Sequence, residues 1–203
     1  PIGAAFALAL RHSGLDVTLL EARDAPSTET RTLALSYGSK LLLEKFGAWP
    51  DAGTPITAIH VSERGSFGRT LLKADELEVP ALGYVLTYSA LQATLDEALK
   101  ATGIKVLRGA RAENISTDFD QAAVTFTQNN ATQTIHSKLL VLADGGHLLA
   151  MIPGIELEEK DYGQQAILAR VKTELPHNNL AYERFTPSGP AALLPFEDRY
   201  SLV

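Results

Sequence analysis

Pro1-Ile2-Gly3-Ala4-Ala5 runs without a break into an apolar helical pattern, Phe6, Leu8, Ala9 and Leu10. Ser13-Gly14 closes that pattern, and the β-rich hexapeptide Asp16-Val17-Thr18-Leu19-Leu20-Glu21 follows at once. Helix, glycine stop, parallel strand and an acidic residue at the strand's end form the second half of a βαβ dinucleotide-binding unit. Gly3 stands where the last glycine of G-x-G-x-x-G stands, the one whose missing side chain lets helix and strand approach closely. The first strand and the two earlier glycines of such a unit are expected before Pro1, so the chain reads as a piece of a longer protein.

In such a unit the pyrophosphate sits on the helix N-terminus, where unpaired N–H groups and the helix dipole favour an anion. A carboxylate about 20 residues after the first glycine accepts hydrogen bonds from the adenosine ribose. Glu21 is placed for that role. Its charge opposes a 2′-phosphate, so the expected nucleotide is FAD or NAD. The plainer reading of Glu21 is a solvated residue that ends a strand.

Composition excludes several other classes. The formal net charge is −6 and no Lys/Arg cluster stands out, so no nucleic-acid partner is expected. Cysteine is absent, which removes disulfide frameworks and thiolate metal sites and suits a reducing cytosol. His12, His60, His136, His147 and His177 are scattered, none at i, i+4 beside a carboxylate, so no metal site is expected. There is no G-x-S-x-G nucleophile elbow. No run of 18 or more apolar residues appears, and the start lacks the basic region of a signal peptide.

Further along, residues 23–32 read as a polar loop, and Ser36 as the cap of a helix striped by Leu41, Leu42, Leu43 and Phe46. Residues 56–63, 70–73 and 84–87 read as short extended pieces. A helix begins near Ser89 with Leu91, Leu95, Ala98 and Leu99 at helical spacing. Residues 105–108, 110–117, 122–127 and 132–137 read as strands, with Asn129-Asn130 as a hairpin turn. Residues 139–143 are a continuous apolar run, as in a buried parallel strand, stopped by Asp144-Gly145-Gly146. Strands are expected again over 165–173, 180–185, 191–194 and from Tyr200 onward.

The expected fold class is therefore α/β, an incomplete Rossmann-like nucleotide-binding domain interleaved with a mostly antiparallel β-sheet substrate domain. The expected division is 1–53 and 88–154 for the nucleotide-binding parts, 54–87 and 155–203 for the substrate sheet.

Several segments occur together in the order seen in FAD-dependent aromatic hydroxylases: Gly3 with Glu21, Thr30-Arg31-Thr32-Leu33-Ala34-Leu35-Ser36, Leu91-Gln92-x-x-Leu95, and Val141-Leu142-Ala143-Asp144-Gly145. Residues 59–65, Ile-His-Val-Ser-Glu-Arg-Gly, and 183–190, Glu-Arg-Phe-Thr-Pro-Ser-Gly-Pro, resemble the ubiquinone-biosynthesis branch. The resemblance covers essentially the whole chain.

It implies a cofactor site made of Gly3 and Ala4 at the pyrophosphate, Glu21 with Ala22 at the adenosine ribose, and Arg31 along the cofactor. Gln92 is implied at the ribitol or phosphate region, and Asp144-Gly145 at FAD hydroxyls. It implies a monooxygenase in which NAD(P)H reduces FAD, O2 adds to give a flavin hydroperoxide, and a polyprenylated phenol is hydroxylated. The cofactor carries that chemistry, and no side chain is assigned as catalyst. The nearly insoluble prenyl tail implies a cytoplasmic protein peripheral on the inner membrane, or one working with a lipid-carrying complex. Alternatives are another FAD enzyme of this architecture (epoxidase, halogenase or prenyl reductase), a plain NAD-binding dehydrogenase, or an inactive fragment of the hydroxylase.

Two features depart from the family pattern. Where D-G-x-x-S-x-x-R is usual, this chain has Leu148 and Met151 in place of Ser and Arg. The family's G-D-A-A-H-type turn is expected after Val203, so the 203 residues alone are expected to be inactive.

Overall fold

The computed structural model describes residues 1–152 and 154–203. Its helices are α1 (Ile2–Ala9), α2 (Tyr37–Lys45) and α3 (Tyr88–Lys100). The first seven strands are β1 (Thr18–Glu21), β2 (Thr32–Ser36), β3 (Thr54–Ile56), β4 (Ala58–Glu63), β5 (Arg69–Lys73), β6 (Gly83–Thr87) and β7 (Lys105–Arg108). The remainder are β8 (Arg111–Thr117), β9 (Ala122–Gln128), β10 (Ala131–Ser137), β11 (Ala169–Val171), β12 (Leu180–Thr186), β13 (Gly189–Phe196) and β14 (Arg199–Leu202). The fold is mixed α/β with strands predominating.

The chain divides into two compact units, Pro1–Ser27 with Gln92–Tyr162, and Thr28–Leu91 with Gly163–Val203. Residues 28–53, read above with the first nucleotide-binding segment, fall in the second unit. The reason is pairing: β2 and β3 both join β6 in one antiparallel sheet.

In the first unit β1 and β7 run parallel, with Glu21 opposite Arg108. A three-stranded meander, β10-β9-β8, accompanies them. The β9–β10 turn has Asn129 at φ 52° and Asn130 at φ 61°, the left-handed pair that a two-residue type I′ hairpin requires and that Asn tolerates. Leu8, Leu95 and Phe126 are fully buried, each such side chain stabilising the unit by about 1.5–3 kcal/mol.

In the second unit six strands are ordered β11-β14-β13-β12-β4-β5. One contact in it is parallel, β4 with β12, joining Ala58 to Leu180 and Phe185 to Glu63. Ile56, Val85, Ala181 and Phe196 form a buried cluster, with Ile59 and Leu194 packed against it.

Three local expectations need correction. Residues 139–143 are not a strand: Leu139 and Val141 are exposed and no described strand pairs with them. An apolar run becomes a strand only when a neighbour supplies ladder hydrogen bonds, since unpaired backbone groups stay hydrated. Of residues 165–173 only Ala169–Val171 is extended, the three residues that face Tyr200–Leu202 of β14. The loop expected up to Thr32 ends in strand β2, whose last residue is also the helix cap.

That cap, Ser36, has extended backbone and its Oγ accepts a hydrogen bond from the Ser39 N–H at 3.2 Å. The Ser36→Ala variant of the full-length protein is expected to lose about 1 kcal/mol of stability, measured as a lower urea midpoint at unchanged slope.

Candidate functional site

The head of α1 is packed against two other segments of the first unit. A Cβ added at Gly3 would lie 3.2 Å from the Ala143 Cβ and 3.3 Å from Leu19 Cδ1. Both distances are tighter than ordinary van der Waals contact, so a side chain here would force helix, strand and the 143 segment apart. Ala4, the next residue, is buried. The absent side chain at Gly3 therefore brings together the start of a helix, strand β1 two residues before Glu21, and the residue before Asp144.

Glu21 ends β1 with its carboxylate half-buried. Arg23 holds it with Nε to Oε1 at 2.9 Å, Nη2 to Oε2 at 2.8 Å, and its own N–H to Oε1 at 3.0 Å. A bidentate guanidinium fork of this kind is a strong, oriented contact. A carboxylate offers about four acceptor positions, and Arg23 occupies three, leaving one on Oε2 for a ligand hydroxyl. Arg23 also offsets the charge that opposes a 2′-phosphate. Ala22 between them is exposed. The Glu21 carbonyl accepts the Ala110 N–H at 3.0 Å and the Arg23 carbonyl accepts the Gly109 N–H at 3.2 Å, tying this turn to the β7–β8 connection.

Gln92 lies on α3 and is 2% exposed. Its Nε2 donates to Asp96 Oδ1 at 2.9 Å, and Arg108 Nη2 reaches the same oxygen at 3.1 Å. Gln92 Oε1 is buried with no hydrogen-bond partner among the described residues. A buried acceptor left unpaired costs about 1–3 kcal/mol, so this atom is an open demand for a donor.

Asp144 follows Ala143. Its Oδ1 accepts the Gly146 N–H at 2.9 Å and its Oδ2 accepts the Leu148 N–H at 2.8 Å. Gly145 and Gly146, at φ 76° and 90°, take the left-handed conformations this tight turn demands. Leu148, in the place of the usual Ser, is buried, whereas Met151 is exposed.

Gly3, Ala4, Glu21, Ala22, Gln92, Asp144 and Gly145 thus belong to one compact unit, and Arg31 belongs to the other. Arg31 donates from Nε to Glu29 Oε1 at 2.7 Å and lies over the Tyr88 ring at 4.9 Å from its centroid. Sequence reasoning passed over Arg23, Asp96 and Arg108. An acid two residues before an Arg at a strand's end, and an Asp four residues after Gln92 on a Leu91–Leu95–Leu99 face, are the signals that point to them.

The chain matches the family described as FAD binding domain over residues 1–198. It is similar to the ubiquinone hydroxylase UbiL of Rhodospirillum rubrum, 30% identical over 100% of this chain and 49% of that protein. It is also similar to the 3-demethoxyubiquinol 3-hydroxylase of Escherichia coli, 28% identical over 98% of this chain and 53% of that protein. Among solved structures, a Klebsiella pneumoniae HpxO variant complexed with FAD shares the fold at a TM-score of 0.70 and 18% identity, over 99% of this chain and 54% of that one. The chain spans about half the length of the relatives it matches.

The hydrogen bond from the Arg23 side chain holds the Glu21 carboxyl below the ordinary glutamate range, against the opposing effect of burial. A carboxylate whose pKa is lower folded than unfolded stabilises fully above the unfolded value, about 4.3, and loses that contribution as pH falls through the folded value. Arg23→Gln is expected to raise the Glu21 titration midpoint and to move acid unfolding to higher pH. Carboxyl NMR titration and unfolding curves below neutrality check both.

Proposed function

The chain belongs to the FAD binding domain family, and from that premise we propose that the protein containing it is an FAD-dependent monooxygenase driven by NAD(P)H. Its substrate is the aromatic ring of a polyprenylated phenol in ubiquinone biosynthesis, and its co-substrate is O2. The observation that carries this reading is the contact at Gly3, which gathers a helix start, an acid-ended parallel strand and the Asp144 turn at one point. The ubiquinone hydroxylases among its relatives supply the substrate class.

The residues fit the cofactor. The first N–H groups of α1 at Gly3 and Ala4 are oriented to take the pyrophosphate, where an anion is favoured. Glu21 Oε2 keeps one acceptor position for an adenosine ribose hydroxyl, with Ala22 beside it. Gln92 Oε1 offers a buried acceptor to a cofactor hydroxyl, and the Asp144-Gly145 turn presents backbone at close range. The family resemblance assigns Arg31 to the phosphate or flavin end, where a planar guanidinium fork suits an anion; its Nε is paired with Glu29 and it lies over Tyr88. Bound FAD supplies the redox chemistry, accepting a hydride and activating O2 for transfer of one oxygen atom to the ring.

The proposed domain roles are nucleotide binding for residues 1–53 and 88–154 and substrate contact for 54–87 and 155–203. We place the protein in the cytoplasm, peripheral on the inner membrane or on a lipid-carrying partner, because a polyprenyl tail does not dissolve in water. No described helix is long and apolar enough to cross a membrane.

Full-length protein is expected to bind FAD and, given NAD(P)H and 18O2, to return a polyprenylated phenol bearing one labelled ring oxygen. An epoxide, a halogenated ring or a saturated chain as product would support the alternative chemistries instead. Protein that stays colourless after FAD is supplied would sink the proposal. Gly3→Val, by pushing α1 off Leu19 and Ala143, is expected to weaken FAD retention about tenfold or more, about 1.4 kcal/mol, read by equilibrium dialysis.

A further inference from the structure

We infer that Asp96, itself held by Arg108, is a positioning residue that locks the Gln92 amide with its oxygen turned toward the cofactor. Gln92 therefore contacts a hydroxyl and not a phosphate oxygen. The inference rests on the reading that FAD occupies this site.

An ionised carboxylate can only accept hydrogen bonds. With Gln92 Nε2 at 2.9 Å from Asp96 Oδ1, the reversed amide would set two acceptor oxygens against each other, so the orientation is fixed by charge. Arg108 adds a second hold on the same oxygen at 3.1 Å. Arg108 is the register partner of Glu21 in the β1–β7 ladder, and its carbonyl accepts from Gln128 Nε2 at 2.7 Å. The guanidinium thus starts from a backbone pinned on both sides. Gln92 and Asp96 are four residues apart on α3 and both are buried, a spacing that stacks them on one helical face. The outcome is a single buried atom, Gln92 Oε1, that lacks a partner. That atom is an acceptor, and phosphate oxygens carry no proton at neutral pH, so among the cofactor's groups a hydroxyl or N–H can satisfy it and a phosphate oxygen cannot.

The test is a double-mutant cycle on FAD affinity in the full-length protein, with thermal stability of the FAD-free protein measured alongside. Gln92→Leu and Asp96→Leu are each expected to weaken FAD binding about tenfold, the scale of one lost buried hydrogen bond. The double variant is expected to be no weaker than the worse single variant, because Asp96 acts through Gln92. A second pair keeps the test independent of folding losses. Gln92→Glu alone sets two carboxylates together and weakens binding, whereas adding Asp96→Asn gives one donor–acceptor pair in the reversed direction and recovers part of the affinity, the remainder being lost because the Asn amide now meets Arg108 with a donor. Losses that multiply in the double leucine variant, or no recovery in the Glu/Asn pair, would overturn the inference. A wild-type protein that fails to bind FAD refutes the underlying reading, while one that binds FAD and ignores every change at Asp96 refutes only this step.

Discussion

The missing side chain at Gly3 is the constraint on which the arrangement of the first unit depends. Helix α1, the neighbouring strand β1 and the distant 143 segment meet there at distances so tight that a methyl group would need its neighbours to give way by a few tenths of an ångström. Because packed interiors yield little, a larger residue at that point would displace α1 as a body and carry its first N–H groups away from Glu21 and the Asp144 turn. One absent carbon thus sets the distance between a positive helix end and the acidic residues around it. Helix α1 has no acidic residue in its first turn.

Around that contact the acidic groups are used in distinct ways. Glu21 and Arg23 form a nearly neutral pair with one acceptor position to spare, a site suited to a single hydroxyl. Asp96 Oδ1 is shared by Gln92 Nε2 and Arg108 Nη2. Asp144 is occupied with its own turn. On the proposed reading, the groups offered to the cofactor are a lone pair on Glu21, the amide oxygen of Gln92 and backbone groups. Such a site discriminates by hydrogen-bond pattern more than by net charge, which accommodates the polar, uncharged stretches of a dinucleotide between its phosphates.

Features decided within a few residues were legible in the sequence. The Ser36 cap, the Asn129-Asn130 turn, the glycine stop at Gly14 and the α3 stripe all follow from local backbone preferences and periodicity. Features that need a distant partner were not. Residues 139–143 have strand composition but no neighbouring strand, and composition alone cannot supply ladder bonds. Thr32, the first residue of β2, reads as the end of a loop and residues 33–35 carry no strand signal, because their polar approach hides that β6 will pair with them. The parallel β4–β12 contact joins residues more than a hundred positions apart, and nothing local in Ala58 or Leu180 announces it. Within the site, Gly3 was readable from its place before the helix, and Asp144-Gly145 from the resemblance to the family. The supporting side chains Arg23, Asp96 and Arg108 were not, since their importance lies in what they hold.

The replacement of Ser by Leu at 148 bears on what the Asp144 turn does here. A Ser at that place could offer a hydroxyl to a ligand, whereas Leu148 is buried and contributes its backbone N–H to Asp144 Oδ2 at 2.8 Å. Burying this side chain anchors the far end of the turn, and the two backbone bonds to Asp144 fix its near end. The turn is consequently stiffened from both sides, with its two left-handed glycines held in conformations that cost other residues dearly. Loss of one polar ligand group is offset by a backbone edge that is already in place before a cofactor arrives. Since ordering a flexible loop at binding costs affinity, a turn held in this way meets that cost in advance of any ligand.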